Sequence, residues 1–261
     1  MRMREFSEAM PKPMVPIGYR PILWHVMKYY ADHGHRDFIL CLGYKADVIK
    51  NYFLEYNECL SNDFVLSKGA RNIELLSRDI DDWNITFVDT GLTSNVGMRL
   101  RAVQKHLKGE EMFLANYTDG LSDVPLPSVI KAFKQSTATA CFVSVKPRAS
   151  FHMIEADQVG HVKSIEHIGK SGFRMNGGFF VLRNDIFDYM REGEELVLEP
   201  FTRLMEKGLL MAHKYEGFWR AMDTLRDRQV LEEMVERGEM PWRPSADSWR
   251  RPEGLPSIGA A

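Results

Sequence analysis

Cysteine is scarce in this sequence. Only Cys41, Cys59 and Cys141 occur among 261 residues, and their scattered spacing fits neither a disulfide framework nor a zinc pattern. They read as buried free thiols in a reducing compartment, which makes the cytoplasm the expected location. Long hydrophobic runs are missing too. No apolar stretch approaches the roughly 18 residues needed to span a bilayer, and the N-terminus has no signal-peptide hydrophobic region, so no membrane partner is expected. Charge of one sign is not in excess: 34 Lys and Arg stand against 36 Asp and Glu, a formal charge of −2. That balance, with no basic aromatic stripe, argues against nucleic acid as a partner. Any anion site must be local. There is no internal repeat.

What is present is the composition of a globular protein, 44% hydrophobic and 27% charged, long enough for one main domain with an appended piece. After Pro21 the run "PILWHVMKYYADHG" has helical spacing, with proline suited to a first turn and Gly34 to a stop. Strand-like runs over 37–44, 84–91 and 111–120 alternate with helical patterns in "KADVIKNYFLEY", over 95–107 and in "LPSVIKAFKQS", which predicts βαβ units. Beyond Thr139 the texture changes to shorter strand-like pieces ("TACFVSV", "HMIEAD", "HVKSIEHI", "MNGGFFVL"), a helix near "NDIFDYM" and two late helices in "LEPFTRLMEKGLL" and "TLRDRQVLEEMVERG". The expected fold class is α/β: a Rossmann-like, doubly wound, mostly parallel sheet over 1–138. A mixed α+β region over 139–244 continues the same domain, and a frayed tail covers 245–261.

In open parallel sheets ligands sit beyond the carboxyl ends of the strands. Three candidate ends carry polar groups, at Asp89-Thr90-Gly91, Thr118-Asp119-Gly120 and Met222-Asp223-Thr224. Asp and Gly are also ordinary turn residues, so these ends alone do not decide between a site and simple turns.

Taken together, "PKPMVPIGYRPILWHVM", "DFILCLGYKADVIKNYF", "WNITFVDTG", "YTDGLSDV", "NGGFFVL" and "GFWRAMDTLRD" resemble the sugar-nucleotide pyrophosphorylases, and within them the glucose-1-phosphate cytidylyltransferases. The resemblance covers nearly the whole chain apart from the tail. It implies a nucleotide-binding α/β domain and an in-line attack by a sugar 1-phosphate on the α-phosphorus of a nucleoside triphosphate, releasing pyrophosphate. The attacking oxygen is already ionised at neutral pH, so no protein nucleophile is needed. The difficulty is bringing two polyanions together, which calls for cations and positioned donors.

By resemblance, Lys12 on its proline-flanked loop contacts the phosphates, where a compact ammonium is useful. Asp119 and Asp223 match the carboxylates that hold Mg2+, an ion that takes few side chains and keeps several waters. Asp223 is alternatively the N-cap of the helix that follows, a role that can coexist with metal binding. Ser94, Arg99 and Thr118 fall at nucleotide-contact positions, although Arg99 could be a surface residue of its helix. Glu166, Asn176 and Gly177 fall at sugar positions. Trp219 packs either against a sugar face or into the core. Gly18, Arg20 and Pro21 are assigned only to the turn and the start of the helix.

The sequence departs from the family pattern in four places. Thr118 replaces a glycine, Val96-Gly97-Met98-Arg99 replaces a Thr-Gly-Gly-Arg run, and His167 follows Glu166 where the pattern has lysine. Relatives begin with a buried strand and a GGxGxR loop that cradles the triphosphate, whereas this chain starts at Met1-Arg2. Arg2 aligns with the loop arginine, and the expectation is a true start roughly a dozen codons upstream, since losing a central strand leaves backbone groups unpaired. The expected function is joining CTP and a hexose 1-phosphate, glucose 1-phosphate foremost, into a CDP-sugar. Alternatives are the same chemistry with dTTP, UTP or another sugar phosphate, or a catalytically inactive binding paralogue. Relatives commonly self-associate, which implies a homo-oligomer.

Overall fold

The computed structural model describes residues 10–148 and 151–243. After a single 3-10 turn at Lys12–Met14 come β1 (Pro16–Ile17), β2 (Arg20–Pro21), α1 (Ile22–Asp32), β3 (Asp37–Leu42) and α2 (Ala46–Leu54). A hairpin of β4 (Phe64–Ser67) and β5 (Asn72–Leu75) precedes β6 (Asn84–Asp89), α3 (Val96–Val103), β7 (Met112–Asn116), β8 (Gly120–Ser122), α4 (Leu126–Lys134) and β9 (Ala140–Val145). The remainder comprises a second hairpin, β10 (His152–Ala156) and β11 (Val162–His167), then β12 (Met175–Arg183), α5 (Glu199–Glu206), β13 (Leu210–Lys214), β14 (Trp219–Ala221) and α6 (Leu225–Glu236). The helix expected near "NDIFDYM" is a 3-10 helix, Asn184–Tyr189.

The central sheet runs β13-β9-β12-β7. Strand β13 is parallel to β9, while β12 is antiparallel to both β9 and β7. The sheet is therefore more mixed than the sequence pattern predicts, because β12 inserts itself between two strands that run the other way. Its sequence explains why it can lie at the centre. Phe179 and Val181 pack into one core cluster with α1 and α4, and Phe180 and Leu182 into a second with α3 and α5. Period-two alternation with apolar residues at both phases is what a strand covered by helices on both faces requires. The carboxyl ends of β7, β9 and β13 and the amino end of β12 consequently lie at one edge.

The parallel pair β3–β6 forms a separate sheet. Between β3 and β7 runs a cleft of about 1060 Å³, lined by Phe38, Leu40 and Leu114 from the strands, Tyr30 from α1, and Leu100 and Val103 from α3. Among the described residues, β3 pairs only with β6 and β7 only with β12, so both strands present an unladdered edge to the cleft.

Of the three thiols only Cys141 is buried, and burial pushes it up to about 11. Cys41 and Cys59 are half-buried, which corrects the expectation that all three are interior. Arg20, assigned nothing beyond a turn, is 3% exposed. Its guanidinium donates to Asp79 at 3.2 Å, to the Asn57 carbonyl at 2.9 Å and to Ser61, and stacks 4.1 Å from the Tyr56 ring. A charge taken out of water needs such a complete set of partners, and this one ties the segment around 56–79 to the start of α1. Among the described residues no helix is long and apolar enough to cross a membrane.

His25 on α1 is fully buried and keeps a neutral ring. Trp242 Nε1 donates to its Nδ1 at 3.3 Å, so the ring proton sits on Nε2, which donates to the Ile17 carbonyl at 2.9 Å. Burial drives its pKa from 6.5 down to about 4. A depressed histidine contributes stability that is complete above its unfolded value of 6.5 and is lost as pH falls through about 4. Urea unfolding at pH 7, 5.5 and 4 should therefore show a loss on the order of 3 kcal/mol in the wild type that is absent from His25→Gln; parallel pH curves for the two proteins would refute it.

Candidate active site

Lys12 is fixed from below. Pro11 enters the 3-10 turn in an extended conformation, Met14 N–H returns to the Pro11 carbonyl at 2.8 Å, and Met14 and Val15 are buried. Gly18, at φ +62, turns the chain back toward α1 where the sequence places a turn. The backbone of the loop is thereby held, and the lysine side chain projects from it, one-third exposed.

The two carboxylates come from distant parts of the chain. Asp119 follows the exit of β7, and Asp223 follows β14. Antiparallel pairing of β8 with β14 aligns Gly120 with Ala221, and Met222 N–H donates to the Asp119 carbonyl at 2.8 Å. Asp223 is not the helix cap. That role belongs to Thr224, whose hydroxyl accepts from Asp227 N–H at 3.1 Å while the Asp227 carboxylate accepts from Thr224 N–H at 3.0 Å. The Asp223 side chain is left to the site, with Lys12 Nζ 2.7 Å from Asp223 Oδ1 and 2.6 Å from Asp119 Oδ2. Burial alone would lower the Lys12 pKa, but hydrogen bonds and charge from Asp119 and Asp223 outweigh it and raise the value. Two hard carboxylates converging on one cation position fit Mg2+. Among the described residues no group of three or more His, Cys, Asp or Glu side chains is placed to hold a metal; Mg2+ needs only one or two side chains and would keep several waters.

The sugar candidates divide. Asn176 and Gly177 lie at the amino end of β12, beside Tyr117, whose backbone N–H donates to the Gly178 carbonyl at 3.0 Å. Asn176 Oδ1 accepts from Gly178 N–H at 2.9 Å, and Trp219 Nε1 donates to the Gly177 carbonyl at 2.8 Å. Trp219 is thus half-buried along this edge, packed against the core cluster that includes Val143 and Val145. Glu166 lies on the exposed β10–β11 hairpin, opposite Met153. Its neighbour His167 is more than an exposed strand residue: Nδ1 accepts from Gly169 N–H at 3.1 Å and caps a short 3-10 turn, and the His152 ring meets it edge-on at 5.4 Å.

Among the nucleotide candidates, Thr118 and Arg99 both line the cleft. Arg99 is half-buried and reaches away from its helix surface, donating to the Leu42 carbonyl at 3.1 Å and the Thr90 hydroxyl at 2.7 Å. Ser94 instead turns its hydroxyl onto the Thr90 carbonyl at 2.5 Å. Arg2 lies outside the described residues. Tyr117 was not foreseen, although its place directly before Thr118-Asp119 at a strand end could have suggested it.

Fold and site together define a nucleotidyltransferase of the nucleotide-diphospho-sugar transferase fold. HddC of Yersinia pseudotuberculosis, in complex with GMP-PN, superposes with a TM-score of 0.61 at 20% identity, over 87% of this chain and 90% of that one. A Bacillus anthracis structure described as a glucose-1-phosphate thymidylyltransferase, in complex with a sucrose, gives 0.62 at 13% identity over 89% of each chain. At such identities the likeness speaks for the fold. No family model matches the chain. Sequence relatives narrow the class: the glucose-1-phosphate cytidylyltransferases of Salmonella typhi and Salmonella typhimurium are each 39% identical over 244 residues, covering 93% of this chain and 94% of their own. The chain belongs to the glucose-1-phosphate cytidylyltransferase family.

Gly178 holds the amino end of β12 against Tyr117. Its φ is +76, and an added Cβ would stand 2.7 Å from Tyr117 Cδ2. Gly178→Ala should lower stability by about 1–3 kcal/mol through backbone strain and overlap with that ring, measured as the urea midpoint; an unchanged midpoint would show that Tyr117 moves aside at no cost.

Proposed function

We propose that this protein transfers the cytidylyl group of CTP to glucose 1-phosphate, giving CDP-glucose and pyrophosphate. The observation that carries the reading is the convergence of Lys12, Asp119 and Asp223 at the strand ends in a chain 39% identical to cytidylyltransferases. Asp119 and Asp223 would hold Mg2+, which would supply charge neutralisation at the triphosphate. Lys12 offsets phosphate charge as the sugar phosphate oxygen approaches, and Arg99 and Thr118 line the cleft on the nucleotide side. Asn176 and the Trp219–Gly177 edge form the floor for the sugar, and Glu166 on the exposed hairpin is assigned to its hydroxyls by resemblance alone. The cytoplasm is the proposed location, in keeping with the free thiols. A homo-oligomer is part of the reading, supported by the exposed cross-strand pairs Leu66–Ile73 and Ile154–Ile165.

The cleft supports one further element. Its two unladdered strand edges and apolar walls suit an added central strand, and Asn116, at its site end, has neither side-chain nitrogen nor oxygen partnered. A second reading, another hexose 1-phosphate, is favoured by His167. With Nδ1 accepting from Gly169, the neutral ring offers only an Nε2–H donor in place of an ammonium.

Pyrophosphate release measured with CTP, dTTP, UTP, ATP and GTP and glucose 1-phosphate tests the reading, using this chain and one extended at its N-terminus by the upstream codons. Release selective for CTP is expected. Lys12→Met, Asp119→Asn and Asp223→Asn should each lower kcat/KM by about 10²-fold or more. Release without CTP preference would overturn the base assignment, and nucleotide binding without turnover by either folded chain would make this a binding protein.

A further inference from the structure

The Lys12 ammonium does more than approach the two carboxylates. It donates to both, at 2.6 and 2.7 Å, distances of charge-assisted hydrogen bonds. Nζ therefore occupies the space between Asp119 Oδ2 and Asp223 Oδ1, which is the position that a cation shared by these residues must take. An ammonium and a divalent ion cannot both stand there, because like charges a few ångströms apart repel strongly in a half-buried site. Among the described residues no other cationic side chain forms an ion pair with either carboxylate.

We infer that Lys12 is a placeholder for the metal: without nucleotide its ammonium stays between Asp119 and Asp223, and a divalent cation enters only together with a nucleoside triphosphate, whose phosphates draw the ammonium away. The inference rests on the metal role given to the two aspartates above. It is electrostatically consistent in both states. Before exchange one ammonium offsets two carboxylates; afterwards the divalent ion offsets both, and the lysine faces the phosphates. Only side chains need to move, because the Lys12 turn is anchored through buried Met14 and Val15 and the Asp223 backbone is flanked by the Met222–Asp119 bond and the Thr224–Asp227 capping box. Lysine suits the exchange better than arginine would. It is a flexible point charge with no planar, bidentate grip on a carboxylate to break.

Mn2+ serves as the probe, with free ion followed by electron paramagnetic resonance in titrations of the full chain. Nucleotide-free wild type should bind Mn2+ weakly. Lys12→Met, and independently Lys12→Gln, should bind it about tenfold tighter or more without nucleotide, a change of about 1.4 kcal/mol, and α,β-methylene-CTP should confer comparable tight binding on the wild type. Equal nucleotide-free affinity in wild type and both variants, with binding abolished by Asp119→Asn, would overturn the exchange while leaving the metal role intact. Tight binding in the Lys12 variants that survives Asp119→Asn and Asp223→Asn would overturn the metal role itself. The two wild-type titrations, with and without the nucleotide analogue, need no variant to fold; equal affinity in these also overturns the inference.

Discussion

Strand β12 is the piece on which the rest of the molecule depends. Its residues from Phe179 to Leu182 are all buried, alternately beneath helices on opposite faces, so its backbone groups must find partners along both edges. The antiparallel ladders to β7 and β9 supply them. That pairing fixes where β7 ends, and with it the course of Tyr117, Thr118 and Asp119. It also leaves Asn176 and Gly177 standing at the same edge. Asn176, Gly177 and Asp119 are thus positioned by a single buried strand.

The second carboxylate arrives by a different route. Three residue pairs between β8 and β14 and the cap at Thr224 place Asp223 beside Asp119, and two carboxylates held this close would repel without a cation between them. Lys12 removes that repulsion in the protein alone. Under the proposed exchange the stability of the site and its readiness for a metal are opposed, and that opposition is what would couple metal entry to nucleotide.

Departures from the family pattern also acquire physical content. Arg99, at the end of an atypical Val-Gly-Met-Arg run, is spent on the Leu42 carbonyl and Thr90, stiffening the ends of β3 and β6 at the mouth of the cleft. His167 uses one ring nitrogen to cap a turn, which fixes its tautomer and makes it a donor of one hydrogen bond without requiring a charge.

Much of this was determined by the sequence alone. The alternating helical and strand-like periods of residues 21–135, the two-phase apolar run "GGFFVL" and the short motifs around Lys12, Asp119 and Asp223 were legible because hydrophobic period and turn chemistry act over a few residues. The antiparallel insertion of β12, the Arg20–Asp79 cluster and the choice of Thr224 over Asp223 as the cap were not. Each joins residues by burial or hydrogen bonding that local patterning does not encode; Arg20 reads only as part of a turn and helix start until Asp79, 59 positions away, is brought against it. The same holds for the site. Sequence named its charged groups, but that one ammonium bridges two aspartates 104 residues apart, between positions 119 and 223, was decided only by tertiary structure, because charge placement in space follows from how the strands pair.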